Sequence, residues 1–155
     1  MRPARLDHQF FDNESRSHLG ALLLRKGLLT HDELDSALEQ KQQGELLGEA
    51  LVRLRICFEE DIARALADQA QVDFVDIGVT SVDYRAVLLL RAHDAQAMRA
   101  IPVRLHPDET VSVAVADPTD DTLLPKLKLA LGGRRVRLLV TTPSALRAAW
   151  ATAYR

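Results

Sequence analysis

Leucines recur at helical spacing in the first half of the chain, and the pattern is written twice at a constant offset of 28 residues. Leu19-Gly20 falls on Leu47-Gly48, Leu23 on Leu51, Leu24 on Val52 and Arg25 on Arg53. Further on, Leu34 falls on Ile62 and Ala37-Leu38 on Ala65-Leu66. A period of this length predicts a duplicated helix–turn–helix unit. In the first copy a short helix should end at Gly27 in the left-handed conformation that other residues resist. Thr30-His31-Asp32-Glu33 then reads as a capping box opening a longer helix, whose buried face carries Leu34, Ala37 and Leu38. Gln40 to Gly44 is a polar connector. Leu46 to Leu54 repeats the short helix, and Glu59 to Ala70 the long one, with Glu59, Glu60 and Asp61 in a first turn that favours acids. Arg55 stands where the first copy has Gly27. It must either take a costly positive φ or let the turn change shape, so the two copies are expected to differ there.

After Gln71 the period changes. Val72 to Ile77 is a strand candidate. Ser81-Val82-Asp83 should open a helix through Leu90, and a second short helix should run from Asp94 to Arg99. Ile101 to Leu105 and Thr110 to Ala116 form a hairpin about His106-Pro107-Asp108-Glu109. Pro102 marks its strand as an edge or the start of one. Asp117-Pro118 predicts a capped helix from about Thr119 to Leu131, with Asp117 as the cap. A strand over Val136 to Thr141 and a helix over Ser144 to Tyr154 complete the chain, Trp150 and Tyr154 anchoring that helix to the sheet. The fold class is α+β: a duplicated helix-pair lobe over residues 17–71, then a small α/β lobe over 72–155 with a mostly antiparallel sheet. Residues 1–16, without helical or strand period, read as a mobile arm or a docking segment.

With 155 residues, 47% hydrophobic and 27% charged, the chain has ordinary globular composition. A net charge of −2 and 5% aromatics argue against a broad basic surface or a stacking array for nucleic acid. The single cysteine, Cys57, suits a reducing compartment and a packing role. No secretory signal opens the sequence and no apolar run approaches bilayer length, so a cytoplasmic protein without direct membrane insertion is expected. The histidines are scattered, Cys57 has no ligand partner nearby, and no phosphate-binding Gly-x-x-x-x-Gly-Lys-Ser/Thr occurs. No metal, resident cofactor or catalytic residue is therefore expected, and the chain reads as non-enzymatic.

The order Leu-Gly-x-x-Leu-hydrophobic-x-x-Gly, a Thr-x-x-Glu helix start, Leu-x-x-Ala-Leu, and then a second copy resembles a known family. It is similar to the amino-terminal, MshEN-type domain of type II secretion and type IV pilus assembly ATPases. Val72-Asp73-Phe74-Val75-Asp76, the Ile101-Pro102-Val103 strand and Val113 to Asp120 resemble that family's second lobe. The resemblance runs from about Ser17 to Tyr154 and implies a receptor for cyclic di-GMP, each helical copy gripping half of the dinucleotide. It implies ligand contacts at His18, Leu19, Gly20, Leu23, Leu34, Leu38 and Lys41 in the first copy. The second copy would contribute Leu47, Gly48, Leu51, Ile62, Leu66 and Gln69. Partners implied are cyclic di-GMP and a secretion or pilus machinery protein or ATPase in trans.

The residue types suit that ligand. A glycine at a helix start lets a phosphate reach backbone amides that lack intrahelical partners. Leucines wall a purine face, and a glutamine amide can donate to and accept from guanine. Three positions depart from the family. His18 and Leu46 stand where it has arginine, and Lys41 where it has the first glutamine; the connector is one residue shorter. The leucines also serve a helical core, and the glycines close helix approach. A degenerate copy without nucleotide binding, acting as a protein-interaction module, is the alternative reading.

Overall fold

The computed structural model describes residues 18–78 and 82–154; the expected arm over 1–16 lies outside the described residues. The chain divides into two compact units, Met1–Ala65 and Leu66–Arg155. The first contains α1 (18–25), α2 (His31–Gln40), α3 (Leu47–Arg53) and the start of α4 (Glu59–Ala70), the helix on which the division falls. α2 opens as read from sequence: Glu33 N donates to Thr30 Oγ1 at 3.2 Å, and Thr30 N to Glu33 Oε1 at 3.0 Å.

The duplication is repeated bond for bond. Lys26 N donates to Leu22 O, Gly27 N to Leu24 O and Leu28 N to Leu23 O; Leu54, Arg55 and Ile56 make the same bonds to Ala50, Val52 and Leu51. Gly27 sits at φ +70 and Arg55 at φ +59. The turn is therefore not reshaped in the second copy, contrary to expectation. Arg55 accepts the left-handed conformation because the same three bonds close the helix end.

The second unit holds β1 (Asp73–Phe74), α5 (Tyr84–Val87), α6 (Ala92–Ala97), β2 (Ala100–Leu105), β3 (Val111–Val115), α7 (Leu123–Ala130), β4 (Val136–Val140) and α8 (Pro143–Ala153). Its four strands lie in the order β1-β4-β3-β2. β2 and β3 form the expected antiparallel hairpin, with Pro102 on the edge strand and a register shift between Pro102 and Arg104. β4, however, pairs parallel with both β3 and β1. The sheet is mixed rather than mostly antiparallel, because α7 carries the chain back across the sheet between β3 and β4, and such a crossover returns a strand parallel to the first.

Alternation on β3 feeds two cores. Val111, Val113 and Val115 pack with Leu123, Leu127 and Leu131 of α7 and its end. Ala114 packs with Ile101, Val87 and Leu146 of α8. Trp150 Nε1 donates to Ala100 O at 2.9 Å on β2, and Tyr154 Oη to Leu90 O at 3.0 Å, so the first ties α8 to the sheet and the second ties the chain end to the α5 segment.

Other boundaries differ from expectation. The β1 strand is only two residues long, and the next helix begins at Tyr84, capped by Asp83, whose Oδ1 accepts from Arg85 N at 3.0 Å. Asp117 caps no helix: its Oδ1 accepts from Thr119 N at 2.9 Å, Asp120 does the same for Thr122, and α7 starts only at Leu123. Two successive side-chain turns use up the donors a helix start would offer.

Candidate functional site

The first unit brings the two Leu-Gly openings together. A Cβ placed on Gly48 would lie 3.6 Å from Leu19 Cδ2 and 3.9 Å from Ile62 Cγ2. A Cβ placed on Gly20 would meet Leu34 Cδ2 at 3.0 Å and Cδ1 at 3.2 Å. Gly20 against Leu34 and Gly48 against Ile62 are the same contact in the two copies, since both pairs are related by the 28-residue offset. Gly20 is a close-packing position. Gly48 is looser and half-buried, with a Cβ position that meets only ordinary contact distances and a backbone amide of its own. That amide belongs to the first turn of α3, where backbone donors lack intrahelical acceptors. Glu49 Oε2 already accepts from Leu46 N at 3.2 Å.

The remaining candidates separate by exposure. Gly20, Leu23, Leu47, Leu51 and Ile62 are buried, and Leu23 and Leu51 are completely enclosed. These five supply the walls and spacing of the unit. His18, Leu19, Leu34, Leu38, Lys41, Gly48, Leu66 and Gln69 keep accessible surface. Leu66 and Gln69 lie on α4 past the division between the units. His18 is exposed on α1, and Leu46, the other position where arginine is missing, is 52% exposed at the start of α3.

The connector between the copies is held by a charged latch that the sequence pattern did not reveal. Arg53 donates through Nε and NH2 to both carboxylate oxygens of Glu45, at 2.8 and 2.9 Å, and through NH2 to Gln40 O at 3.0 Å. Gln42 N donates to Glu45 Oε1 at 3.1 Å, and Lys41 Nζ to Glu45 O at 2.6 Å. The Arg53 fork, helped by the Gln42 amide, holds the Glu45 carboxyl down to about 2. Arg53 and Lys41 are thus already engaged with the connector. Glu45 and Arg53 lie eight residues apart, outside any helical spacing, so only the fold relates them.

Cys57 is buried, its Sγ lying 3.7 Å from Leu28 O. Burial, then the negative charges of Glu33 and Asp61, push its thiol up, which leaves it a packing residue rather than a nucleophile. Among the described residues no cluster of three or more His, Cys, Asp or Glu side chains is arranged to hold a metal, and no helix is long and apolar enough to cross a membrane.

Comparison with known proteins places these features. The sequence model of the MshEN domain matches residues 70–155. The type IV pilus assembly ATPase PilB of Thermus thermophilus is 35% identical over 138 residues, a stretch long enough to take in the helical repeat. Bacteriophage adsorption protein B of Escherichia coli is 30% identical over 129 residues. These alignments cover 88% and 83% of this chain but 15% and 17% of the two relatives, so the chain spans a small part of their length. A solved structure of MshE with cyclic di-GMP (cdg) superimposes with a TM-score of 0.74 at 28% identity, covering 88% of this chain and 98% of that one. The N-terminal domain of XpsE shares the fold, with a TM-score of 0.67 at 23% identity over 89% of this chain and 93% of that one.

Proposed function

The chain belongs to the MshEN domain family, and we propose that it is a non-enzymatic, cytoplasmic regulatory domain that binds cyclic di-GMP across its two helical repeats and relays the bound state to a secretion or pilus machinery protein or ATPase. The observation that carries this reading is the meeting of the two Leu-Gly openings, Leu19 of one copy lying against Gly48 of the other. One dinucleotide can then engage both copies, with a phosphate toward the start of α3, where the helix dipole favours it, and purine faces against the exposed leucines. Leu19, Leu34, Leu38 and Gly48 supply accessible apolar and backbone surface, His18 an exposed imidazole, Lys41 a cation bonded to Glu45 O that the ligand would share, and Leu66 and Gln69 the corresponding positions on α4. Leu23, Leu47, Leu51, Ile62 and Gly20 set the spacing from beneath.

His18 and Leu46 stand where the family resemblance implies arginine, and the loss of a forked donor typically costs roughly 1–3 kcal/mol per contact. Restoring the donors is therefore the sharpest test. Calorimetric titration with cyclic di-GMP should show tighter binding in His18→Arg and Leu46→Arg than in the unaltered chain, by about tenfold each. No heat and no thermal shift at millimolar ligand, in all three proteins, ends the proposal.

A second reading is favoured by the same two positions together with the burial of five of the thirteen candidates: a degenerate copy that docks a protein and no nucleotide. Retention of a secretion or pilus partner on immobilised chain, in the absence of any response to cyclic di-GMP, selects it. Clean ligand binding without such a partner rejects it.

A further inference from the structure

We propose that the outer face of α7, with the turn that follows it, is a docking surface for α2 of a second copy of this chain. Residues 122–155 contain seven basic and no acidic side chains, whereas residues 1–121 contain 22 acidic and 13 basic ones. A net charge of −2 hides this separation. On α7 the exposed residues are Pro125, Lys126, Lys128, Leu129 and Ala130, with Leu129 84% exposed, the largest value among the exposed large hydrophobics. Arg135 is exposed just past Gly132-Gly133. Arg134 and Arg137 are already paired with Glu109 and Asp73, so Lys128 and Arg135, with Lys126 whose charge also acts on Asp120, are the cations this face offers.

α2 presents the complement. Its outer stripe is Asp32, Asp35, Leu38 and Glu39, at the three- and four-residue spacing that aligns side chains on one face, and Leu38 is 41% exposed. Leu129 is flanked by Lys126 and Lys128, whereas Leu38 has Asp32, Asp35 and Glu39 along one flank and Lys41, bonded to Glu45 O, on the other. Like charges on one helix repel, and each leucine is held in water. Setting α2 of one molecule against α7 of another relieves both, whereas α2 on α2 or α7 on α7 would bury the leucines only by bringing like charges together. The contact joins two different faces, so it can close as a reciprocal pair or a ring, or run on from copy to copy. It shares Leu38 with the nucleotide reading but does not rest on it, and it is tested without ligand.

Sedimentation velocity of the full chain reads it out. At about 10 mM salt, where charges act over roughly 30 Å, the sedimentation coefficient should rise with protein concentration, and it should fall to the monomer value at about 0.5 M salt. The double variants Lys126→Glu with Lys128→Glu, and Asp35→Lys with Glu39→Lys, should each remain monomeric at low salt, and their equimolar mixture should associate again. Leu129→Gln should weaken association without altering charge, and circular dichroism of each variant guards against misfolding. A chain that stays monomeric at low salt and high concentration overturns the proposal, as does association that survives both charge reversals. Co-sedimentation of a monomeric chain with phosphatidylglycerol vesicles would assign the basic face to a membrane and overturn it equally.

Discussion

At the scale of single residues, Gly20 and Gly48 occupy equivalent places with unequal freedom, and that difference separates packing from binding. Gly20→Ala drives a methyl against Leu34 at 3.0 Å and should be less stable in urea unfolding than Gly48→Ala by about 1–3 kcal/mol, the gain in helix propensity being common to both. Gly48→Ala meets only ordinary contact distances and should lose no stability. If cyclic di-GMP reaches the Gly48 amide, that variant should lose affinity while keeping its stability. Glu45 gives a test in pH. Its carboxyl is lowered from 4.5 to about 2 by the Arg53 fork, so the stabilisation it brings is complete above the ordinary carboxylate range and disappears as pH falls toward 2. Thermal melts of Glu45→Gln and the unaltered chain should differ at pH 6 and converge as pH approaches 2. The leucine repeat was legible in sequence because periodicity carries it. The Glu45–Arg53 latch was not, because its partners meet only after α3 folds back toward the end of α2.

Element by element, the helices of the repeat are written in local signals: the Thr30–Glu33 box, Gly27 and the acid-rich start of α4. α7 is not. Asp117 carries the right side chain for a cap but spends it on Thr119, and sequence alone cannot separate these two uses of an aspartate. Strand direction was equally hidden, since alternation shows which face is buried and not which way the neighbour runs. Two elements offer direct tests. Arg55 holds a left-handed conformation that glycine adopts freely, so Arg55→Gly should stabilise the end of α3 by about 1 kcal/mol, read as a raised urea midpoint at unchanged slope. Asp83 caps α5 and also accepts from Leu105 N at 3.4 Å on the edge strand. Burial would raise its carboxyl, but bonds from the Arg85 amide and side chain and from the Leu105 amide outweigh this and hold it low. Asp83→Ala removes both links and should lower the urea midpoint by the same measurement.

For the whole molecule, the order of motifs along the chain was enough to place it in its family, although the family model itself covers only residues 70–155. The charge separation between the first 121 residues and the last 34 is equally plain in the sequence. What it presents became visible only when α2 and α7 were seen with their outer stripes uncovered. The sheet adds one more consequence. β2, β3, α7, β4 and α8 follow one another along the chain, while β1 joins them by pairing residues 73 and 74 with 139 and 140, by a bond from Val75 N to Val140 O and by the exposed Asp73–Arg137 pair. Such a short seam between distant residues closes a long loop for little return. β1 should therefore be the last strand laid down during folding, and deuterium should reach the amides of Phe74 and Val75 well before those of Val113 and Val115.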